Sequence, residues 1–498
     1  MIKMKNIKNI GGLVLLTFVL LSLGSCEKYL EQAPDMRTEL NNIDKIKSLL
    51  GTAYPIGNYA TMLESASDNV ADKGPNTAGV QHYEINRGPF MFEDVGSELN
   101  QDSPTYYWNN AWRAIAAANH ALHAIELGDF GPEVLPYKGE ALLARAYAHF
   151  MLVTIFARAY DPVDAAQYPG VPYVTEPGTE VQAQYDRGTV ASVYEQIEKD
   201  LLEGLALISD DAYTVPKFHF NRQAANAFAS RFFLFKRDWD KVVQYSNEVF
   251  PEGRYSAALR PWITMYNSWT TEMQRVNYTR SNDPANLMLG QTTSWWGRRY
   301  YLYRFGITAA LNNQLMRTPT VTGAPWGQTI SSYSSGTNFR HNMFVEKFVY
   351  TTATTGSGRI MMPLFTAEEA LFNRAEAYAN LGQMDLALAD LNLYASKRIS
   401  GYNQNNHQVT LDKIADFYET TDPRDGVIQT VLDFRRAEFV QEGLRWFDIL
   451  RHQLPVTHHV LAADGSIERT IVVEHGDPRR MFQLPEEVQL AGIELNPR

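Results

Sequence analysis

The sequence predicts a mainly all-α protein: helices packed in pairs as a scaffold, with a loop-rich, partly β insertion forming the ligand-facing half. Three observations predict it. Apolar residues recur three or four apart in several long stretches, the period of one helix face. One such stretch keeps Ala375, Tyr378, Gly382 and Ala387 at the spacing by which two helices close around a short turn. Residues 251–358 differ in texture. They hold Trp262, Trp269, Trp295, Trp296 and Trp326 among many Ser, Thr, Asn and Gly, with helical period only at 309–316.

Taken in order, residues 1–25 read as a signal peptide. Lys3, Lys5 and Lys8 precede an apolar run over 10–23, shorter than the roughly 20 residues a membrane-crossing helix needs. Leu23-Gly24-Ser25-Cys26 then resembles a bacterial lipobox, which implies cleavage before Cys26 and lipidation of that residue. Cys26 is the single cysteine, so no intramolecular disulfide or Cys-based zinc site is available to the chain. A short helix is expected over 43–50, and residues 51–107 read as loop-dominated, with turn signals at Asn69, Gly74-Pro75 and Gly88-Pro89. Trp108, Trp112, Ile115, Ala118 and Leu122 share one face of a helix over 106–127. Leu143, Ala144, Tyr147, Phe150 and Met151 do the same over 140–156, which Asp161-Pro162 closes. Another helix is expected over 192–208.

The spacing at Ala375–Ala387 is tetratricopeptide-like, and Ser230, Phe233, Arg237 and Val242 make a looser copy around Asp238-Trp239-Asp240. Tetratricopeptide-like helix pairs are therefore expected near 106–156, 192–249, 366–395 and 430–452, stacked as a short curved solenoid. The segments 51–107 and 251–358 would form the ligand-facing side, with short strands near 286–291 and 344–350. From residue 26 to 498 the chain reads as one domain.

The stretch 433–451 organises the rest. Phe434, Ala437, Val440, Leu444 and Phe447 make one apolar stripe, and Arg435, Glu438, Glu442, Arg445, Asp448 and Arg451 form a charge ladder beside it. With Trp446 and Ile449 widening the apolar face, a single buried helix with paired charges is expected. The run Arg435-Arg436-Ala437-Glu438-Phe439-Val440-Gln441-Glu442-Gly443-Leu444-Arg445-Trp446-Phe447-Asp448, with Leu484-Pro485-Glu486-Glu487 and Asn496-Pro497 further on, resembles the late signature of the SusD/RagB family. That resemblance implies a non-catalytic nutrient binder, lipid-anchored in the outer membrane at the cell surface. It also implies delivery of an oligosaccharide or polysaccharide to a SusC-like TonB-dependent transporter.

Composition and motif content agree with binding rather than chemistry. The net charge of −11 argues against nucleic acid as a partner. No metalloprotease, nucleophile-elbow, phosphate-loop, dinucleotide or calcium-loop pattern occurs, so no catalytic residue, metal or cofactor is assigned. A glycoside hydrolase needs only two well-placed carboxylates and remains the alternative among enzymes. A peptide or glycoprotein-glycan binder is the alternative among binders. Aromatic faces stack on sugar rings while amides and arginines meet hydroxyls. Two stretches offer that mixture, and from them Tyr107, Trp108, Asn110, Trp295, Trp296, Arg298 and Tyr300 are the ligand-binding candidates. Adjacent Trp295 and Trp296 are hard to bury together, so one of them is expected at the surface.

Overall fold

The computed structural model describes residues 40–77, 83–96, 98–178 and 183–498; the signal segment and Cys26 lie outside them. Helices dominate. The first third holds α1 (Ile43–Leu50), α2 (Ala60–Ala66), α3 (Glu84–Met91), α4 (Pro104–Leu127) and α5 (Leu135–Phe156). Then come α6 (Val190–Leu207), α7 (Arg222–Lys236) and α8 (Trp239–Val249), followed within the insertion by α9 (Ala309–Arg317). The last part holds α10 (Ala367–Asn380), α11 (Met384–Arg398), α12 (Leu411–Tyr418), α13 (Pro423–Glu438) and α14 (Leu444–Arg451). Side-chain caps start many of them. Ser103 accepts from the Tyr106 amide, Asn221 from that of Ala224 and Thr366 from that of Glu369, satisfying donors that have no partner inside the helix.

Helix α5 is central, buried continuously from Gly139 to Phe156. It packs on both α4 and α6. The α5–α6 crossing is a backbone contact: a Cβ on Gly139 would lie 2.9 Å from the Gly204 carbonyl oxygen, and one on Gly204 would lie 2.8 Å from that of Gly139. Residues 192–249 therefore contain three helices, not one pair. Helix α6 joins α5, while α7 and α8 pair with each other and α8 leans on α10. Helices α10 and α11 pair around Gly382, whose φ of +74° suits a residue without a side chain. In the looser copy Arg237 holds the equivalent left-handed position, at φ +61°.

Sheets are small. Strand β2 (Asn286–Thr293) and β6 (Lys347–Tyr350) flank β7 (Gly356–Thr366) in an antiparallel sheet, and β7 runs directly into α10. Strand β1 (Ala71–Asp72) pairs with β3 (Phe305–Gly306), and β4 (Ser332–Ser335) forms a hairpin with β5 (Asn338–His341). A last hairpin joins β8 (Val456–Leu461) to β9 (Ile467–Val473). Segment 51–107 is less loop-like than expected, because α2 and α3 form within it.

The expected single helix over 433–451 is two. Helix α13 ends at Glu438, Gln441 and Gly443 adopt φ of +69° and +78°, and α14 starts at Leu444. Buried Glu64 on α2 makes this break. Its Oε1 accepts from the Gln441 amide at 2.8 Å and its Oε2 from the Gly443 amide at 3.1 Å. Burial pushes the Glu64 carboxyl up to about 7, opposed by those two amides and by Asn69. The ladder charges consequently pair across the turn and across the fold. Arg435 meets Asp448 at 2.9 Å, Arg445 meets Asp68 at 2.8 Å, and Arg451 meets Glu376 at 2.7 Å. Glu438 receives Arg398 and the Tyr394 hydroxyl, while Arg398 also bridges to Glu368, which binds Arg260. Apart from partly exposed Asp68, these paired charges are almost fully removed from solvent, and Glu442 of the ladder accepts from the Tyr278 hydroxyl instead of a cation.

Candidate ligand-binding face

The turn between α13 and α14 also positions the insertion. The Trp296 indole Nε1 donates to the Gln441 carbonyl at 2.9 Å. The Gln441 side chain accepts from the His341 amide at 2.6 Å and donates to the His341 carbonyl at 3.3 Å. Thus one residue of the frame fixes both the helical turn Trp296–Arg299 and strand β5. From the other side, Asp102 binds the same loop just ahead of α4. It accepts from Ser294 Oγ at 2.5 Å and from the Trp295 amide at 2.8 Å, and burial raises its carboxyl to about 7. The two stretches singled out in the sequence therefore meet, through Asp102.

Most of the candidate side chains face inward, however. Tyr107 packs edge-on to Tyr59, and Trp108 packs edge-on to Phe156 at 5.0 Å. Asn110 is buried, with its amide nitrogen donating to the Tyr106 carbonyl. Trp296 is 1% exposed and stacks near Tyr300, whose hydroxyl accepts from the Ile307 amide. These residues hold the face from behind and offer a ligand no surface. For Tyr107, Trp108 and Trp296 the reason is shared: Tyr59, Phe156 and Gln441 are distant in sequence, and local spacing does not reveal them. Trp295 is half-buried, and Arg298 is exposed and paired with Glu346 at 3.0 Å.

Around Trp295 and Arg298 the structure gathers Arg299 and Tyr301 of the same stretch together with Tyr83, Tyr333 and Arg340, which the sequence reading did not name. Tyr83 lies 6.1 Å from Trp295, ring to ring. Arg299 sits over Trp295 at 4.3 Å and donates to the Tyr83 hydroxyl at 2.8 Å. Beside them Tyr301 and Tyr333 approach edge-on at 4.8 Å, with Arg340 over the Tyr301 ring at 4.9 Å. Tyr333 and Arg340 are direct partners in the β4–β5 register. Further along, Phe348 and Tyr350 stand exposed on edge strand β6. Arg299 and Tyr301 lie in the nominated stretch 294–301, and no local pattern marks Tyr333 or Arg340. Nothing local marks Tyr83. Chemically, the arrangement is a set of partly exposed aromatic faces edged by guanidinium donors. Among the described residues no group of three or more His, Cys, Asp or Glu side chains is placed to hold a metal ion.

Comparison with known proteins gives the family of this paired-helix scaffold. Residues 28–234 match the SusD-like profile described as "Starch-binding associating with outer membrane", and residues 254–469 match the profile of the SusD family. The chain belongs to the SusD/RagB family. Among solved structures, a Bacteroides vulgatus protein described as sugar binding aligns at TM-score 0.67 with 19% identity, covering 93% of this chain and 99% of its own. A SusD superfamily protein of Bacteroides thetaiotaomicron aligns at 0.66 and 19%, covering 92% and 100%. A SusD-like carbohydrate-binding protein of Bacteroides vulgatus aligns at 0.62 and 16%, covering 91% and 96%. No curated protein matches the sequence.

Proposed function

We propose that this protein binds an oligosaccharide or polysaccharide at the cell surface without cleaving it and passes it to a partner TonB-dependent outer-membrane transporter. One observation carries the binding half of the reading. Half-exposed Trp295, Tyr83 and Tyr301 and exposed Tyr333 share one face, and that face is fixed from behind by Gln441, Trp296 and Asp102. Flat apolar rings held in place stack on sugar faces without first losing side-chain freedom, which favours affinity. Membership of the SusD/RagB family supports delivery to a transporter, and the lipobox-like sequence ending at Cys26 supports a lipid anchor in the outer membrane.

The experiment is a comparison of purified wild type with Trp295→Ala and Tyr301→Ala against a panel of neutral and acidic glycans. Calorimetry or affinity electrophoresis measures binding, and product analysis measures cleavage. Each truncation is expected to weaken binding by about 1–3 kcal/mol, roughly five- to 150-fold, with the melting temperature little changed. Unaltered affinity in both variants removes this face from consideration. Released oligosaccharide products would replace the reading with a hydrolase.

A further inference from the structure

We infer that the ligand of this face is anionic, a glycan bearing carboxylate or sulfate groups, with Arg299 and Arg340 receiving the charge. The inference rests on the binding reading above and narrows its ligand class.

Many buried arginines of the frame are neutralised by acids. Arg231 pairs with Glu369, Arg260 with Glu368, Arg304 with Asp72 and Arg435 with Asp448. Arg187 and Arg480 are instead spent on carbonyls and an amide deep in the fold, whereas the arginines without an acid at the face stand beside exposed rings. Among the described residues no carboxylate oxygen lies within the 4.0 Å ion-pair distance of Arg299 or Arg340. Each is held instead by groups that orient a guanidinium and leave its charge standing. Arg299 rests on Trp295 at 4.3 Å and on Tyr83 at 5.6 Å and donates to a phenol oxygen. Arg340 rests on Tyr301 at 4.9 Å and on Tyr333 at 6.0 Å, and its Nη1 donates to the carbonyls of Gly297 at 2.8 Å and Arg298 at 3.3 Å. Those carbonyls belong to the segment that carries Arg298 and Arg299, so the cationic side chains converge on one helical turn.

Arg275 adds to the field. Burial first, then the like charge of Arg275, holds Arg340 below the usual arginine range. The acids near these groups are already engaged, Glu346 by Arg298 and Glu272 by Arg275. On a chain of net charge −11, a patch of two uncompensated, pre-oriented guanidinium groups is a local reversal of sign. A planar guanidinium can meet a carboxylate or sulfate with two parallel bonds, which Arg299 can offer beside its bond to Tyr83, whereas Arg340, with Nη1 on two carbonyls and Nε buried, offers Nη2 alone. The rings that hold each arginine would stack on the sugar carrying that anion, so one residue pair reads both parts of an acidic saccharide.

The test titrates wild type, Arg299→Gln, Arg340→Gln, Arg299→Lys and Trp295→Ala with polygalacturonate, chondroitin sulfate, polyglutamate and neutral dextran, at low and high sodium chloride. The expected result is binding of an acidic probe that weakens with salt. Each Gln variant should lose about tenfold or more in affinity, and Arg299→Lys should keep part of it. Circular dichroism and melting temperature confirm that each variant is folded, and Arg299→Gln carries the test where Arg340→Gln is unstable. A neutral glycan bound equally by wild type and both Gln variants overturns the anionic inference and leaves the glycan reading standing. Failure of both acidic glycans to bind also overturns it. Preference for polyglutamate over every glycan overturns both readings, as does indifference of all ligands to Trp295→Ala.

Discussion

Residue-scale chemistry in this protein is dominated by carboxylates taken out of water. Some have strong cationic partners and are held below the usual range, as Arg451 and His452 do for Glu376, and Arg435 and Arg451 for Asp448, against the cost of burial. Others are raised. Glu442, beside α14, is pushed up to about 8 by burial and by the neighbouring Glu438 and Glu368, with Arg260 and the Tyr278 hydroxyl opposing. A carboxyl raised on folding holds its proton in the native state over a range where the unfolded chain has released it. Stability therefore falls as pH rises from about 4.5 to about 8 and is level above that. Glu442→Gln removes this titration while keeping an acceptor for the Tyr278 hydroxyl, which Glu442 now accepts at 2.5 Å. Melting temperatures at pH 5 and pH 8 should show the variant gaining on wild type at the higher pH. A constant difference across that window would mean that Glu442 does not titrate there.

At the scale of elements, the informative event is the break between α13 and α14. The turn is what ties frame to ligand face, and it depends on a glycine for two reasons. Gly443 has φ +78°, and a Cβ there would stand 3.0 Å from the Ala60 Cα on α2. Gly382, at φ +74°, has open space around it. Gly382→Ala is expected to cost about 1 kcal/mol, from conformation alone. Gly443→Ala should cost about 2–4 kcal/mol, because α2 must also shift, and it should weaken glycan binding through Gln441. Urea midpoints of the two variants give the comparison, and equal losses would remove the steric argument. The same turn shows where sequence reading stops. Leu444 and Phe447 continue the helical period of Phe434 and Val440, so the stripe reads straight through a break made by Glu64, a residue on another element. Helix α1, the Ala375–Ala387 pair and β2 were legible because caps, periodicity and a turn glycine are local signals. Trp295 and Trp296 were legible only as a choice, since one of two adjacent indoles turns outward. The Gln441 carbonyl decides which, and it lies 145 residues away. Tyr107 and Trp108 carried the composition of a sugar platform, but Tyr59 and Phe156 bury them.

Across the whole molecule, residues from both ends of the chain share the same buried bonds, so frame and face are expected to unfold together. Asp72 accepts from Arg304 and from the Leu461 amide, and Asp68 binds Arg445. Near the C-terminus, Asn496 performs a similar office. Its Nδ2 donates to the carbonyls of Phe156, the last residue of α5, and Phe482, and its Oδ1 accepts from Arg187 at 2.8 Å. Removing that side chain leaves two carbonyls and the Nη2 of buried Arg187 without these partners, while its Nε and Nη1 keep theirs, a loss of about 2–4 kcal/mol. If residues 40–498 are one cooperative unit, Asn496→Ala lowers the midpoint of a single calorimetric transition and leaves its shape alone. Two separable transitions, with only one of them shifted, would instead divide the paired-helix frame from the insertion. That division would make the fixed geometry at Trp295 a local property of the loop, independent of the turn at Gln441 that the present structure uses to hold it.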